Sequence, residues 1–79
     1  MMDKKCFALS ELKINTTAKI DSINTSDNIK RRLLDLGLVS NTPITAIFRS
    51  PFSDPTAYHV RNTVIALRKE DANSILVYK

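Results

Sequence analysis

The chain has 79 residues, twelve Lys+Arg against eight Asp+Glu, a formal net charge of +4 and 43% hydrophobic residues. One domain is expected from that length, and a small-molecule cavity of ~300 Å³ or more would consume much of so small a core, which disfavours multi-substrate enzymes. The basic balance permits an anionic partner without requiring one, and the hydrophobic content is that of a chain that folds rather than stays disordered.

Residues 1–6 read as a flexible tail. Lys4 and Lys5 are followed only by Cys6-Phe7-Ala8-Leu9 before Ser10-Glu11, too short for the core of a signal peptide. Cys6 is the only cysteine, so an intramolecular disulfide and a CxxC metal knuckle are both excluded. A small chain without disulfide staples suits a reducing cytoplasm. No stretch approaches the ~20 apolar residues of a membrane span, and no membrane insertion is expected.

After a polar turn at Asn15-Thr16-Thr17, residues 18–23 alternate with the period of a half-buried strand, Ala18, Ile20 and Ser22 on one face. Residues 26–37 read as one capped helix. Ser26 is the N-cap, and Asp27 places negative charge on the first turn. Ile29, Leu33 and Leu36 form a stripe, and Asp27–Arg31 and Arg31–Asp35 have the spacing of exposed ion pairs. Gly37, the only glycine, sits where a helix takes its left-handed C′ residue, and Leu38 can fold back on Leu33. Pro43 leads into a strand at 44–48, apolar on both faces apart from Thr45. The loop Ser50-Pro51-Phe52-Ser53-Asp54-Pro55 breaks any ladder. Runs at 57–61 and 63–67 form a hairpin hinged at Asn62, which tolerates positive φ. Residues 68–72 read as one helical turn and 75–78 as the last strand. About five short strands and one helix leave two apolar sheet faces and two open edges. Closing the sheet into a small barrel, with the helix capping one end, resolves both.

At this point the residues resemble a known family. Arg31-Arg32-Leu33-Leu34-Asp35-Leu36-Gly37-Leu38 followed by Pro43-Ile44 looks like the helix and next strand of the ferrous iron transport protein A family, FeoA. The segment from Ser50 to Pro55, followed by Ala57-Tyr58 and Val60-Arg61, is similar to its central loop and hairpin. Ile65-Ala66-Leu67-Arg68-Lys69-Glu70-Asp71-Ala72 is similar to its closing signature. The resemblance runs from Leu9 to Val77 and implies a mainly β, SH3-like barrel. It also implies a cytosolic accessory protein whose partner is the membrane ferrous-iron transporter FeoB. Where relatives usually carry glycine at turns, this chain has Asn15, Asn41, Ser53 and Asn62. Asn tolerates left-handed backbone and Ser53 does so less readily, which leaves the loop's conformation open.

Catalytic chemistry is missing from the sequence. There is no GxxxxGK[ST] phosphate loop, and one His with one Cys supports no nucleophile–base pair. No cofactor and no small-molecule substrate are expected. His59, Asp54, Cys6 and the Glu70-Asp71 pair are the residues of metal-ligand type. A ferrous site needs three or more converging ligands, and Arg61 shares a strand face with His59, so no tight metal site is expected and His59 and Asp54 stay weak candidates. Partner binding has better material. Pro51, Phe52, Asp54 and Pro55 form a stiff, partly apolar loop, and a solvent-facing Phe52 would suit an interface anchor. Lys30 and Arg31 point away from the helix stripe, with Leu34 beside them. The expected function is a non-catalytic accessory protein that binds and modulates the transporter's cytosolic part. The alternative is a nucleic-acid-binding or metal-sensing regulatory domain like the C-terminal domain of iron-dependent repressors. Nucleic acid is the weaker alternative, since only Phe48-Arg49 and Tyr58-His59-Val60-Arg61 interleave aromatic and basic residues.

Overall fold

The computed structural model describes residues 5–52 and 54–79. Its elements in chain order are β1 (Phe7–Ala8), a 3₁₀ turn (Leu9–Glu11), β2 (Thr17–Ile23), α1 (Asp27–Asp35), β3 (Pro43–Arg49), β4 (Thr56–Val60), β5 (Thr63–Leu67), α2 (Lys69–Asn73) and β6 (Ile75–Tyr78). The strands make one six-stranded antiparallel sheet in the order β1-β6-β2-β3-β4-β5. The mainly β expectation with one principal helix holds. Six strands replace the expected five because Phe7 and Ala8 pair with Val77 and Leu76 of the last strand. The terminal strands β1 and β5 do not pair with each other, so the sheet wraps its core without closing into a complete ring.

The core is one cluster, with Leu9, Leu12, Ile20, Leu33, Leu38, Ile44, Tyr58, Val60, Ile75 and Val77 all at 1% exposure or less. Two register shifts decide which side chains reach it. In β2 the pairs Ile20↔Val77 and Ser22↔Leu76 leave Asp21 as an extra residue. The bulge therefore lets Ile20 and Ile23, three positions apart, face the same side. In β3 the pairs Ala46↔Tyr58 and Phe48↔Ala57 leave Ile47 extra. Ala46 faces inward, and Phe48 is turned outward at 60% exposure. The apolar outer faces that suggested a closed barrel are thus partly left in water. Val64, at 57%, is another example.

α1 ends as its sequence indicates. The Leu38 N–H donates to the Leu33 carbonyl at 3.1 Å and the Gly37 N–H to the Leu34 carbonyl at 3.0 Å, the two bonds of a Schellman ending. Gly37 has φ +100°, and a Cβ there would lie 3.0 Å from Cδ of Arg61. The start differs from expectation, since Ser26 takes extended backbone but its side chain makes no capping bond. The expected stripe is also reduced. Leu33 is the one buried residue of α1, and Ile29 and Leu36 are exposed. The helix rests on the sheet through that one leucine and Leu38 after it, rather than plugging the end with three side chains. Asn15 and Asn41 do adopt positive φ, 69° and 68°. In the β4–β5 turn the left-handed residue is Arg61 at 57°, and not Asn62. In that conformation the Arg61 stem lies over Gly37.

Candidate functional site

The central loop is held from below and bare on top. The Ser50 N–H donates to the Pro55 carbonyl at 3.2 Å, the Asp54 N–H donates to Ser50 Oγ at 2.9 Å, and the Asp54–Pro55 peptide is cis. Asp54 turns its carboxylate toward α2, where Oδ1 accepts the Lys69 N–H at 2.8 Å and Oδ2 lies 3.9 Å from the Arg68 guanidinium. Arg68, the N-cap residue of α2, supplies no side-chain cap of its own, so a residue from the distant loop satisfies one of the orphan N–H groups of that helix. Pro51 and Phe52, earlier in the same loop, are both exposed. Phe52 is 90% exposed, the outcome that favours an anchor over a core role. Ser53 lies outside the described residues.

The second candidate surface is α1. Every residue from Asp27 to Arg32 is exposed, and neither Asp27–Arg31 nor Arg31–Asp35 closes into a salt bridge among the described residues. The expected intrahelical pairs are therefore not formed, which leaves Lys30, Arg31 and Arg32 facing solvent. Four apolar side chains accompany them: Ile29, Leu34, Leu36 and Val39, each between 37% and 40% exposed. Lys30 and Leu34 also line a shallow groove of about 200 Å³ against Asp21, Ser22 and Asn24 of β2 and its following turn. Arg61 joins this surface, because its stem covers Gly37 just past the end of α1. Arg68 and Lys69 do not. They stand at the opposite end of β5, beside Asp54.

The structure does not gather the metal-type residues. His59 is exposed on the outer face of β4, in register with Thr45 and Val64. Asp54 is engaged with α2, Glu70 and Asp71 lie on the first turn of that helix, and Cys6 is exposed near the N-terminus. Among the described residues no three His, Cys, Asp or Glu form a group that could hold a metal ion. Nor do the aromatics share one basic groove among the described residues, although Tyr58 borders a recess with Arg49 and Lys69. Tyr58 is buried in the core at 1% exposure while Phe48 faces outward. Burial raises the Tyr58 pKa above its ordinary value; a Thr56 hydrogen bond and Arg49 oppose this and Asp54 adds to it. Two functional features escaped sequence reasoning, the capping role of Asp54 and the contact of Arg61 with Gly37. Neither carries a local sequence signal, since each joins residues far apart in the chain.

The FeoA domain family model matches residues 7–79. A fusion of Fe(2+) transport protein A with the Fe(2+) transporter FeoB from Porphyromonas gingivalis is 33% identical over 69 residues, which cover 87% of this chain and 8% of the fusion. The chain thus spans under a tenth of that relative's length. The solution structure of a FeoA-like protein from Clostridium acetobutylicum superposes with a TM-score of 0.84 at 33% identity, covering 96% of this chain and 87% of that one. The crystal structure of Stenotrophomonas maltophilia FeoA complexed with zinc, described as an SH3 domain protein and candidate ferrous iron transport activating factor, has a TM-score of 0.80. It is 32% identical, over 90% of this chain and 88% of that chain. The SH3-like architecture expected from the sequence is therefore the one observed. No helix among the described residues is long and apolar enough to cross a membrane.

Proposed function

The chain belongs to the FeoA family, and from that premise we propose that it is a non-catalytic accessory protein of ferrous iron uptake, acting in the cytoplasm on the cytosolic part of a FeoB-type transporter. The observation that carries this reading is the relative in which the same domain and the transporter share one chain. Covalent linkage holds two modules at an effective concentration up to about millimolar, so their contact needs only modest intrinsic affinity. The surfaces of this chain suit such a contact. α1 offers exposed leucine and isoleucine beside three cations free of salt bridges among the described residues, and the central loop offers Phe52. An apolar patch beside three clustered cations, with Asp27 and Asp35 also exposed on the helix, suits a partner surface that is apolar at its centre and carries acidic groups opposite those cations.

Titration of the protein with the cytosolic GTP-binding part of a FeoB-type transporter, with and without guanine nucleotide, tests the reading. Saturable binding is expected, weakened by about ten-fold or more in the Lys30→Glu, Arg31→Glu, Leu34→Ser variant. No binding at high micromolar concentration in either nucleotide condition, or an unchanged variant, would overturn it.

A further inference from the structure

The sheet has two edges of unlike character. β1 spans only two residues. β5 spans five, Thr63–Leu67, with no charge, proline or glycine among them. Soluble proteins blunt their sheet edges by shortness, charge, proline or cover, because a bare edge templates pairing with another strand. The first edge is short and the second has no such device. Among the described residues β5 pairs with β4 alone.

The register shows what this edge presents. Val60 pairs with Thr63 across the two-residue turn Arg61–Asn62, which makes that pair hydrogen-bonded and the next one not. The backbone N–H and C=O groups of Val64 and Ala66 consequently point away from β4. The same two residues expose their side chains on the outer face. Ala66 is in register with Ala57, and Ala57 with Phe48, so an apolar shelf continues inward from the edge. A cation stands at each end of the strand. Arg61 occupies the turn, and Arg68 follows Leu67 with its side chain 69% exposed and only a long 3.9 Å approach to Asp54.

We propose that the β5 edge is a strand-addition site for an extended segment of a partner protein, β-branched and uncharged at its centre, with an acidic residue near each end. Main-chain bonds to Val64 and Ala66 supply affinity, the shelf over Ala57 and Phe48 receives alternate side chains, and Arg61 and Arg68 select the acidic ends. This goes beyond the α1 surface and stands independently of the transporter reading. A second copy of the chain is the poorer occupant. Two-fold antiparallel pairing of β5 with itself would set Arg68 of each copy beside the Arg61 turn of the other, placing like charges at both ends of the ladder.

The test uses the isotope-labelled full chain and a synthetic peptide, acetyl-Glu-Thr-Val-Thr-Val-Thr-Glu-amide, with a second peptide in which Lys replaces both Glu residues. Saturable amide shifts centred on 63–67 are expected, together with about ten-fold or greater slowing of hydrogen exchange at Val64 and Ala66 near peptide saturation. The lysine peptide should bind about five- to ten-fold more weakly, as expected for two exposed pairs turned repulsive. Val64→Pro removes an outward N–H without costing a bond to β4, and should abolish the peptide-induced exchange protection at Ala66 while leaving the spectrum of the rest of the fold in place. Should that variant fail to fold, Arg61→Glu with Arg68→Glu provides the check by reversing the peptide preference. Equal binding of the two peptides, shifts centred on α1, no shift at millimolar peptide, or concentration-dependent self-association through β5 would each overturn the proposal.

Discussion

The helical elements packed on the sheet are finished in opposite ways. The 3₁₀ turn and α2 interlock, with Leu9, Leu12 and Ala72 buried at 1% exposure or less and Ser10 donating to Asn73. Asp54 reaches over from the central loop to cap α2. α1 leans on Leu33 and keeps Ile29, Leu34, Leu36 and Val39 between 37% and 40% exposed. Burying a leucine fully contributes about 1.5–3 kcal/mol relative to leaving it exposed. The first region has taken that contribution in full, and α1 has left part of it for an intermolecular contact. The stability of the molecule and its capacity to bind thus sit in different helical elements of one small fold.

Substitutions in the two regions should separate accordingly. Leu9→Ala removes a fully buried side chain and should cost about 2–5 kcal/mol in denaturant unfolding. Leu34→Ala, on α1 and 40% exposed, should cost only about 1 kcal/mol. Comparable losses at both positions would erase the contrast. Gly37→Ala introduces a side chain at φ +100° against the Arg61 stem and should cost about 1–2 kcal/mol. Adding Arg61→Ala should recover the crowding part and leave the backbone part. Asp54→Ala should cost about 1 kcal/mol through loss of the α2 cap, and Asp54→Asn, which keeps the acceptor oxygen, should recover most of it. An Asn variant as unstable as the Ala variant would assign the effect to the long ion pair with Arg68 instead.

The smallest effect concerns pH. Burial leads the causes that raise the Tyr58 pKa above 10.0. The unfolded chain therefore releases that proton at lower pH than the folded one. The stability linked to Tyr58 is fully present below pH 10 and declines as pH rises from there through the raised folded value. Tyr58→Phe should give a shallower alkaline decline in unfolding free energy, read by denaturant melts across that range. An unchanged slope would show that other groups govern it.

What was legible in the sequence was mostly local. Gly37 followed by Leu38 encodes the Schellman ending through one residue's freedom and the next one's hydrophobicity, and both of its bonds are present. Asn15 and Asn41 announced left-handed turns. The unread features depend on distant partners. β1 is two residues whose pairing lies at the other end of the chain, and the bulges at Asp21 and Ile47 reverse strand faces without any marker in the alternation. The stripe Ile29-Leu33-Leu36 has amphipathic spacing, yet only Leu33 is buried, because periodicity cannot tell a face turned to the core from one kept for another molecule. Asp54 drew attention as a binding residue, and its capping bond crosses fifteen positions of sequence.

Chemical-shift mapping of the isotope-labelled chain against the cytosolic part of a FeoB-type transporter tests this division of labour most directly. Perturbations gathered on residues 29–39 and Arg61, with Leu9, Leu12 and Ala72 unmoved, are the expected result. Perturbations centred on the 3₁₀ turn and α2, or none at saturating partner, would contradict it.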